Sequence, residues 1–323
     1  MIKKTLAALA AFALSTAAFA QAYPSKPVKL LVGFAAGGPT DVIARVIAQD
    51  LSQSLGQNVV VENKTGASGM IATQEVKRAA PDGYTLIMIT LTHNVNAILM
   101  ADKKPYDPIN DFSMVSLVSL LPMVAVAKGD SPLRSIQDLV ALAKTKPGEV
   151  SYASSGNGGS AHLAGALLEM VSNTKQTHVP FRGNAPALGE IMGGRITYMF
   201  YPMIGIADQV REKRLKALAV TTPQRHPDYP GVPTMAESGY PGFEDYTQGL
   251  GIVGPAGMPA PVVARLNAAI KESIAKPETK ARLATLGAIT TSSTPEEFVA
   301  FLKKDAERWQ RVITAAGVKA EQQ

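Results

Sequence analysis

Cysteine is absent from the 323 residues. Disulfides, thiolate chemistry, cysteine-ligated metals and a lipid-modified cysteine anchor are thereby excluded. Without cross-links the chain must be held by its core, and this length permits two lobes with a core each. Histidine is scarce. His93, His162, His178 and His226 are scattered, with no H-x-x-x-H pair and no clustered carboxylates, so no metal site is expected. The hydrolase pattern G-x-S-x-G does not occur. No block of one charge occurs either. The formal net charge of +6 is spread along the chain, which steers small anions weakly and argues against a nucleic-acid partner. Beyond the N-terminus no apolar run reaches the roughly 20 residues that span a bilayer.

What is present begins with a secretory signal. Lys3 and Lys4 precede the apolar run Leu6 to Phe19, and Ala18-Phe19-Ala20 has the small-x-small cleavage pattern. Cleavage is expected after Ala20, and the mature chain then starts at Gln21. An N-terminal membrane anchor is the alternative, and the shortness of the run speaks against it.

After Pro24 strands and helices alternate. Lys29–Gly33, Val59–Val61 and Thr85–Thr90 read as strands, apolar throughout, as in a parallel sheet covered on both faces. Thr40–Leu55 and Ser68–Ala80 read as the helices between them. Met114–Leu121 and Met123–Ala127 are apolar runs split by Pro122, where the chain is expected to cross to a second lobe. A second alternating series follows, with strands at Val150–Ala153, His178–Phe181, Ile196–Phe200 and Lys216–Val220. Pro223–Pro241 reads as a linker. The last helices, Pro261–Ala275 and Glu296–Ala315, are expected to return to the first lobe, because a lone amphipathic tail has nothing to bury against. This gives lobe 1 over 21–121 plus 236–323, lobe 2 over 122–235, and hinges near 119–124 and 223–250.

Two glycine-rich loops carry the chemistry. Gly33 to Pro39 joins a strand to a helix N-terminus, where unpaired N–H groups attract anions. Gly33 and Gly38 have phosphate-loop spacing, but Pro39 stands where that loop needs lysine, so nucleotide hydrolysis is not expected. Thr40 or Asp41 reads as the helix cap. Asp41 as a ligand contact would repel a bound anion. The second loop, Ser154 to Ser160, offers hydroxyls, the Asn157 amide and close backbone approach. Thr92 and His93 follow a strand at its carboxyl end, where open α/β sheets bind ligands, and are expected contacts. Arg182 is placed to fork a carboxylate, and Tyr201, before Pro202, to line a cleft.

The runs YPSKPVKLLVGFAAGGPTDVIAR, VVVENKTGASG, AAPDGYTL, PYDPINDF, YASSGNGGSAHLAG, HVPFRGNAPAL, LKALAVT, GPAGMP and TPEEF together resemble one family over essentially the whole mature chain. It is the Bug-type extracytoplasmic solute receptor of tripartite tricarboxylate transporters. The resemblance implies an α/β, two-lobed periplasmic binding protein fold of type II, each lobe a mostly parallel sheet flanked by helices. It implies a periplasmic location, a small organic carboxylate as ligand and membrane permease subunits as partners, with no catalysis and no cofactor. A monomer is expected. It assigns ligand contacts, often through ordered water, to Phe34, Ala35, Ala36, Gly37, Gly38, Thr40 and Asp41 in the first loop. From the other lobe it assigns Ser154, Ser155, Gly156, Asn157, Gly158 and Ser160. The family commonly has prolines at Ala35 and Ala36, a glycine at Pro39, an Asp at Tyr201 and a Trp at Gly249. Losing that Asp and that Trp while gaining Tyr201 implies a roomier, less acidic cleft suited to an aromatic or bulky carboxylate rather than an amino acid. A sensor for a membrane signalling partner and an enzyme on the same fold are the alternatives.

Overall fold

The computed structural model describes residues 23–103, 105–243 and 246–319. The signal segment and its cut after Ala20 lie outside them. Strand β1 (Val28–Val32) pairs in parallel with β2 (Val59–Asn63) and β3 (Thr85–Ile89). Helix α1 (Pro39–Leu55) links β1 to β2, and α2 (Met70–Lys77) links β2 to β3. Side chains on β1 alternate as a strand covered on both faces requires. Leu30 and Val32 join Ile43, Ile47 and Leu266 in one core, while Leu31 joins Ile87, Val253 and Phe298 in another.

The two apolar runs at Met114 and Met123 form one strand, β4 (Phe112–Lys128). Pro122 does not break it. The residue has no N–H to lose from the ladder there, and its carbonyl accepts the Met203 N–H at 2.9 Å. β4 pairs antiparallel with β9 (Thr247–Pro255) over Phe112–Pro122, then with β7 (Tyr198–Pro202) and β8 (Leu215–Val220) over Met123–Lys128. β5 (Ser151–Ser154) and β6 (Thr177–Pro180) pair in parallel beyond β7, and the short β10 (Ile289–Thr290) pairs with β4. The sheet is therefore mixed. Its outer strands are parallel, as the βα alternation implied, and its middle is antiparallel because β4 and β9 are long strands running opposite ways.

Helices α3 (Thr92–Leu99), α4 (Ile136–Thr145), α5 (Ser160–Ser172), α6 (Asn184–Met192) and α7 (Ala207–Arg211) follow in order. After β9 come α8 (Ala260–Ala275), α9 (Pro277–Thr285) and α10 (Pro295–Ala316). A capping box between Thr294 and Glu297 starts α10. The sequence assigned all of 236–323 to the first lobe. Phe298 and Leu302 do pack there, with Ile87 and Val253. Trp309 and Ile313 pack instead with Tyr152, Phe200 and Tyr246 in the second lobe. At 22 residues, α10 is about 33 Å long, more than one lobe needs.

Candidate functional site

The first residues of four helices converge on one point between the lobes. Pro39 and Thr40 of α1, Thr92 of α3, Ser160 of α5 and Asn184 of α6 all line a tight polar space, together with Phe34, Gly38, Thr90, Ser155 and Gln248. First-turn N–H groups lack intrahelical partners, and the helix dipoles add positive potential. At α3, however, the Thr92, His93 and Asn94 N–H groups already bond to Thr90 and Leu91, so that helix contributes its dipole and the Thr92 side chain. None of these lining residues is charged. The space holds about 10 Å³, roughly one water. It adjoins a mouth of about 400 Å³ that shares Phe34 and Ser155 and is lined further by Gly66 to Gly69, Gly156, Asn157, Phe181 and Arg182.

The lobes touch across this mouth. Ser68 Oγ donates to the Asn157 carbonyl at 2.7 Å. A Cβ on Gly158 would lie 2.7 Å from Val95 and 2.9 Å from Leu99, and one on Gly183 would lie 3.1 Å from Ala35, so these contacts require glycine. Ala67 and Ser68 sit at φ of 45° and 52°, a left-handed backbone that strains any residue with a Cβ. Ser68→Gly is therefore expected to be about 1 kcal/mol more stable than Ser68→Ala, since both lose the bond but only glycine relieves the backbone. Urea melts of the two variants check this; equal midpoints would contradict it.

Several expected contacts are elsewhere. Asp41 neither caps by side chain nor lines the space. The N-cap is Gly38, without a side-chain cap bond. From the third helical position Asp41 Oδ2 accepts the Gly37 N–H at 2.9 Å and Arg45 Nε at 3.0 Å, and Oδ1 accepts Asn63 Nδ2 at 2.9 Å. Burial pushes its carboxyl up, but the bonds from Arg45, Gly37 and Asn63 outweigh this and hold it below the ordinary range. Asp41 thus braces the loop, and its charge is consumed there. Ala35 packs on Gly183, and Ala36 and Gly37 are exposed outside the lining. Gly158 packs on α3.

His93 turns away from the cleft, since a helix begins at Thr92 and sends the next side chain inward. Its ring sits 4.8 Å from that of Phe112 and 5.2 Å from Tyr106, with Nε2 2.8 Å from the Pro108 carbonyl. Tyr201 pairs with Val124 in the second core and is 4% exposed, outside the lining of either space. Gly249 lies beneath Phe301, whose ring a Cβ would meet at 2.5 Å, so its missing side chain enlarges no cleft. Ser154 is fully buried. Its Oγ lies 2.6 Å from His178 Nε2 and 3.0 Å from the Gly156 carbonyl. This resembles a nucleophile and its base, but the hydroxyl is sealed under its own loop. The expected residues that do line the two spaces are Phe34, Gly38, Thr40, Thr92, Ser155, Gly156, Asn157, Ser160 and Arg182. Sequence reasoning missed Asn184, Gln248 and the Gly66–Gly69 loop. Asn184 directly follows Arg182-Gly183 at a helix start, which is the signal that would have found it.

This fold and cleft define a two-lobed periplasmic binding protein. The profile of the tripartite tricarboxylate transporter family receptors matches residues 43–318, and the chain belongs to that family. It is 41% identical over 302 residues to the UPF0065 protein in the tcbD-tcbE intergenic region of Pseudomonas sp. strain P51, covering 93% of this chain and 89% of that one. MatC from Rhodopseudomonas palustris, solved with bound malate, is 32% identical with a TM-score of 0.85, covering 90% of this chain and all of that one. An R. palustris protein solved with adipate is 31% identical with a TM-score of 0.88, covering 92% and 99%. Among the described residues no helix is long and apolar enough to cross a membrane.

Proposed function

We propose that this receptor captures a small organic dicarboxylate between its lobes in the periplasm and presents it to the membrane permease of a tripartite transporter. The observation that carries this reading is the convergence of four helix N-termini on one uncharged space. Neutral donors hold an anion without trapping it, which a delivering protein requires. Space for about one water beside them suits a carboxylate held partly through water. The mouth accommodates the organic body, and Arg182 in its lining is the one charged residue of either space. Malate and adipate, seen in two relatives, have this two-ended form.

The aromatic preference expected from Tyr201 and Gly249 loses its basis, because neither residue lines the cleft. We read the hinges as β4 near Pro122 and the return between Val220 and Thr247. Ligand stabilises the closed arrangement only by the extent to which it prefers it.

Calorimetric titration with malate, adipate, benzoate and amino acids tests the ligand class, and small-angle scattering tests closure. A dicarboxylate is expected to bind and contract the molecule. Benzoate or an amino acid binding alone would sink the dicarboxylate reading. Arg182→Gln is expected to weaken dicarboxylates roughly 5–20-fold while leaving monocarboxylates within about 3-fold, because only the former reach the guanidinium. Equal losses for both classes would remove Arg182 from the site.

A further inference from the structure

Asn184 lines the tight end of the cleft, is 8% exposed, and its Oδ1 is buried without a hydrogen-bond partner. A buried acceptor left unsatisfied is costly, and its partner in the working state is to be sought in what the site binds. The neighbouring hydroxyls do not reach it. Ser160 Oγ donates to Gln248 Oε1 at 2.8 Å, and the Thr90 and Thr92 hydroxyls bond each other at 3.0 Å. Other buried polar atoms without partners, such as Tyr198 Oη and Gln176 Oε1, belong to residues outside both lining sets.

We propose that Asn184 is a specificity residue that accepts a hydrogen bond from a hydroxyl adjacent to the ligand's carboxylate, so that the site selects 2-hydroxy acids. The inference rests on the carboxylate reading and sharpens it. Helix N-termini take the carboxylate, and Asn184, with its unmet acceptor, lines the same space, where a hydroxyl beside the carboxylate would meet it. An α-ammonium would also donate. However, no Asp or Glu lines either space, and Asp41 is committed to Arg45, Gly37 and Asn63. A buried ammonium would lack a protein counter-charge, whereas a hydroxyl needs none.

The test is calorimetry with pairs differing only in that hydroxyl: malate and succinate, lactate and propionate, mandelate and phenylacetate, with aspartate as the amino counterpart. The hydroxy member is expected to bind about 10-fold tighter or more, and aspartate more weakly than malate. In Asn184→Ala the preference should fall to within about 3-fold, with the non-hydroxy member retaining its affinity. Equal binding within the wild-type pairs overturns the proposal, as does a preference that survives Asn184→Ala. The wild-type pairs decide between these outcomes even if the variant folds poorly. Failure of every carboxylate to bind would overturn the carboxylate reading itself, a result distinct from carboxylates binding without discrimination.

Discussion

Lowering the pH from 7 to 5 is expected to remove on the order of 4–5 kcal/mol of stability, with most of the loss below pH 6.5. Three histidines are responsible. Burial lowers His93 to about 4, with the Pro108 hydrogen bond and the Asp107 charge opposing. Burial lowers His162 to about 4. Burial and then the charge of His162 lower His178 to about 3. His162 and His178 stack with ring centroids 3.8 Å apart, so two adjacent positive charges there repel. His162 Nδ1 also accepts the Gly158 N–H at 3.0 Å and must be unprotonated to do so. Each ring is thus neutral in the fold at a pH where the unfolded chain binds a proton. The unfolded state binds more protons, so stability rises with pH. It is complete above about 6.5 and is lost as pH falls toward the folded values near 4 and 3. Carboxylates held low, such as Asp41 and Asp111, act only in more acid solution, while Glu169 and Asp305, raised by burial, take up protons earlier in the fold than in the unfolded chain and offset part of the histidine loss. Melting curves by circular dichroism at pH 7, 6 and 5 check this. A fall of about 10 °C is expected, and His93→Gln should reduce it by roughly a third. A melting temperature that is flat over this range would contradict it.

Trp309→Ala is expected to cost about 3–5 kcal/mol, the largest effect foreseen for a single substitution far from the cleft. Trp309 is fully buried, with its ring 5.0 Å from Tyr246 in the second lobe. Its Nε1 donates to Asp305 Oδ1 at 2.8 Å. Asp305 also accepts Asn94 Nδ2 of α3 at 3.1 Å and Arg308 at 2.9 Å. Burial raises the Asp305 carboxyl despite Arg308 and these donors, so losing one leaves a buried charge poorly met. Truncation opens a cavity in the second core and loosens the half of α10 that reaches it. Urea unfolding followed by circular dichroism should show a lower midpoint. Trp309→Phe should recover much of the packing but not the indole bond, and so cost about 1–2 kcal/mol. A loss below about 1 kcal/mol for the alanine variant would show that α10 does not bind the second lobe.

The parallel edge strands and the helices between them were legible because apolar runs and helical periods are local properties. β4 was split in two, because a proline usually ends a strand, and only the neighbouring Met203 N–H shows where its carbonyl goes. α3 went unseen. Thr92, Asn94, Val95 and Asn96 are weak helix formers, and tertiary burial of Asn94 against α10 supplies what propensity does not. The two glycine loops led to the expectation of an anion site, and both line the cleft, but residue type did not reveal which way a side chain points. Thr92 faces the cleft and His93 the core, one position apart.

By itself, the sequence determined the family, the two α/β halves and two glycine-rich loops at helix starts, the first without the lysine of a phosphate loop. The halves and loops follow from periodicity and glycine placement, and the family from blocks of residues that resemble it, all of which are written along the chain. The tertiary structure decided that four helix starts meet, that Asp41 serves its own loop, that Tyr201 and Gly249 lie outside the cleft lining, and that Asn184, with an unmet acceptor, lies within it. Each of these depends on residues distant in sequence brought within a few ångströms, and on side-chain directions set by helix and strand geometry at that meeting point.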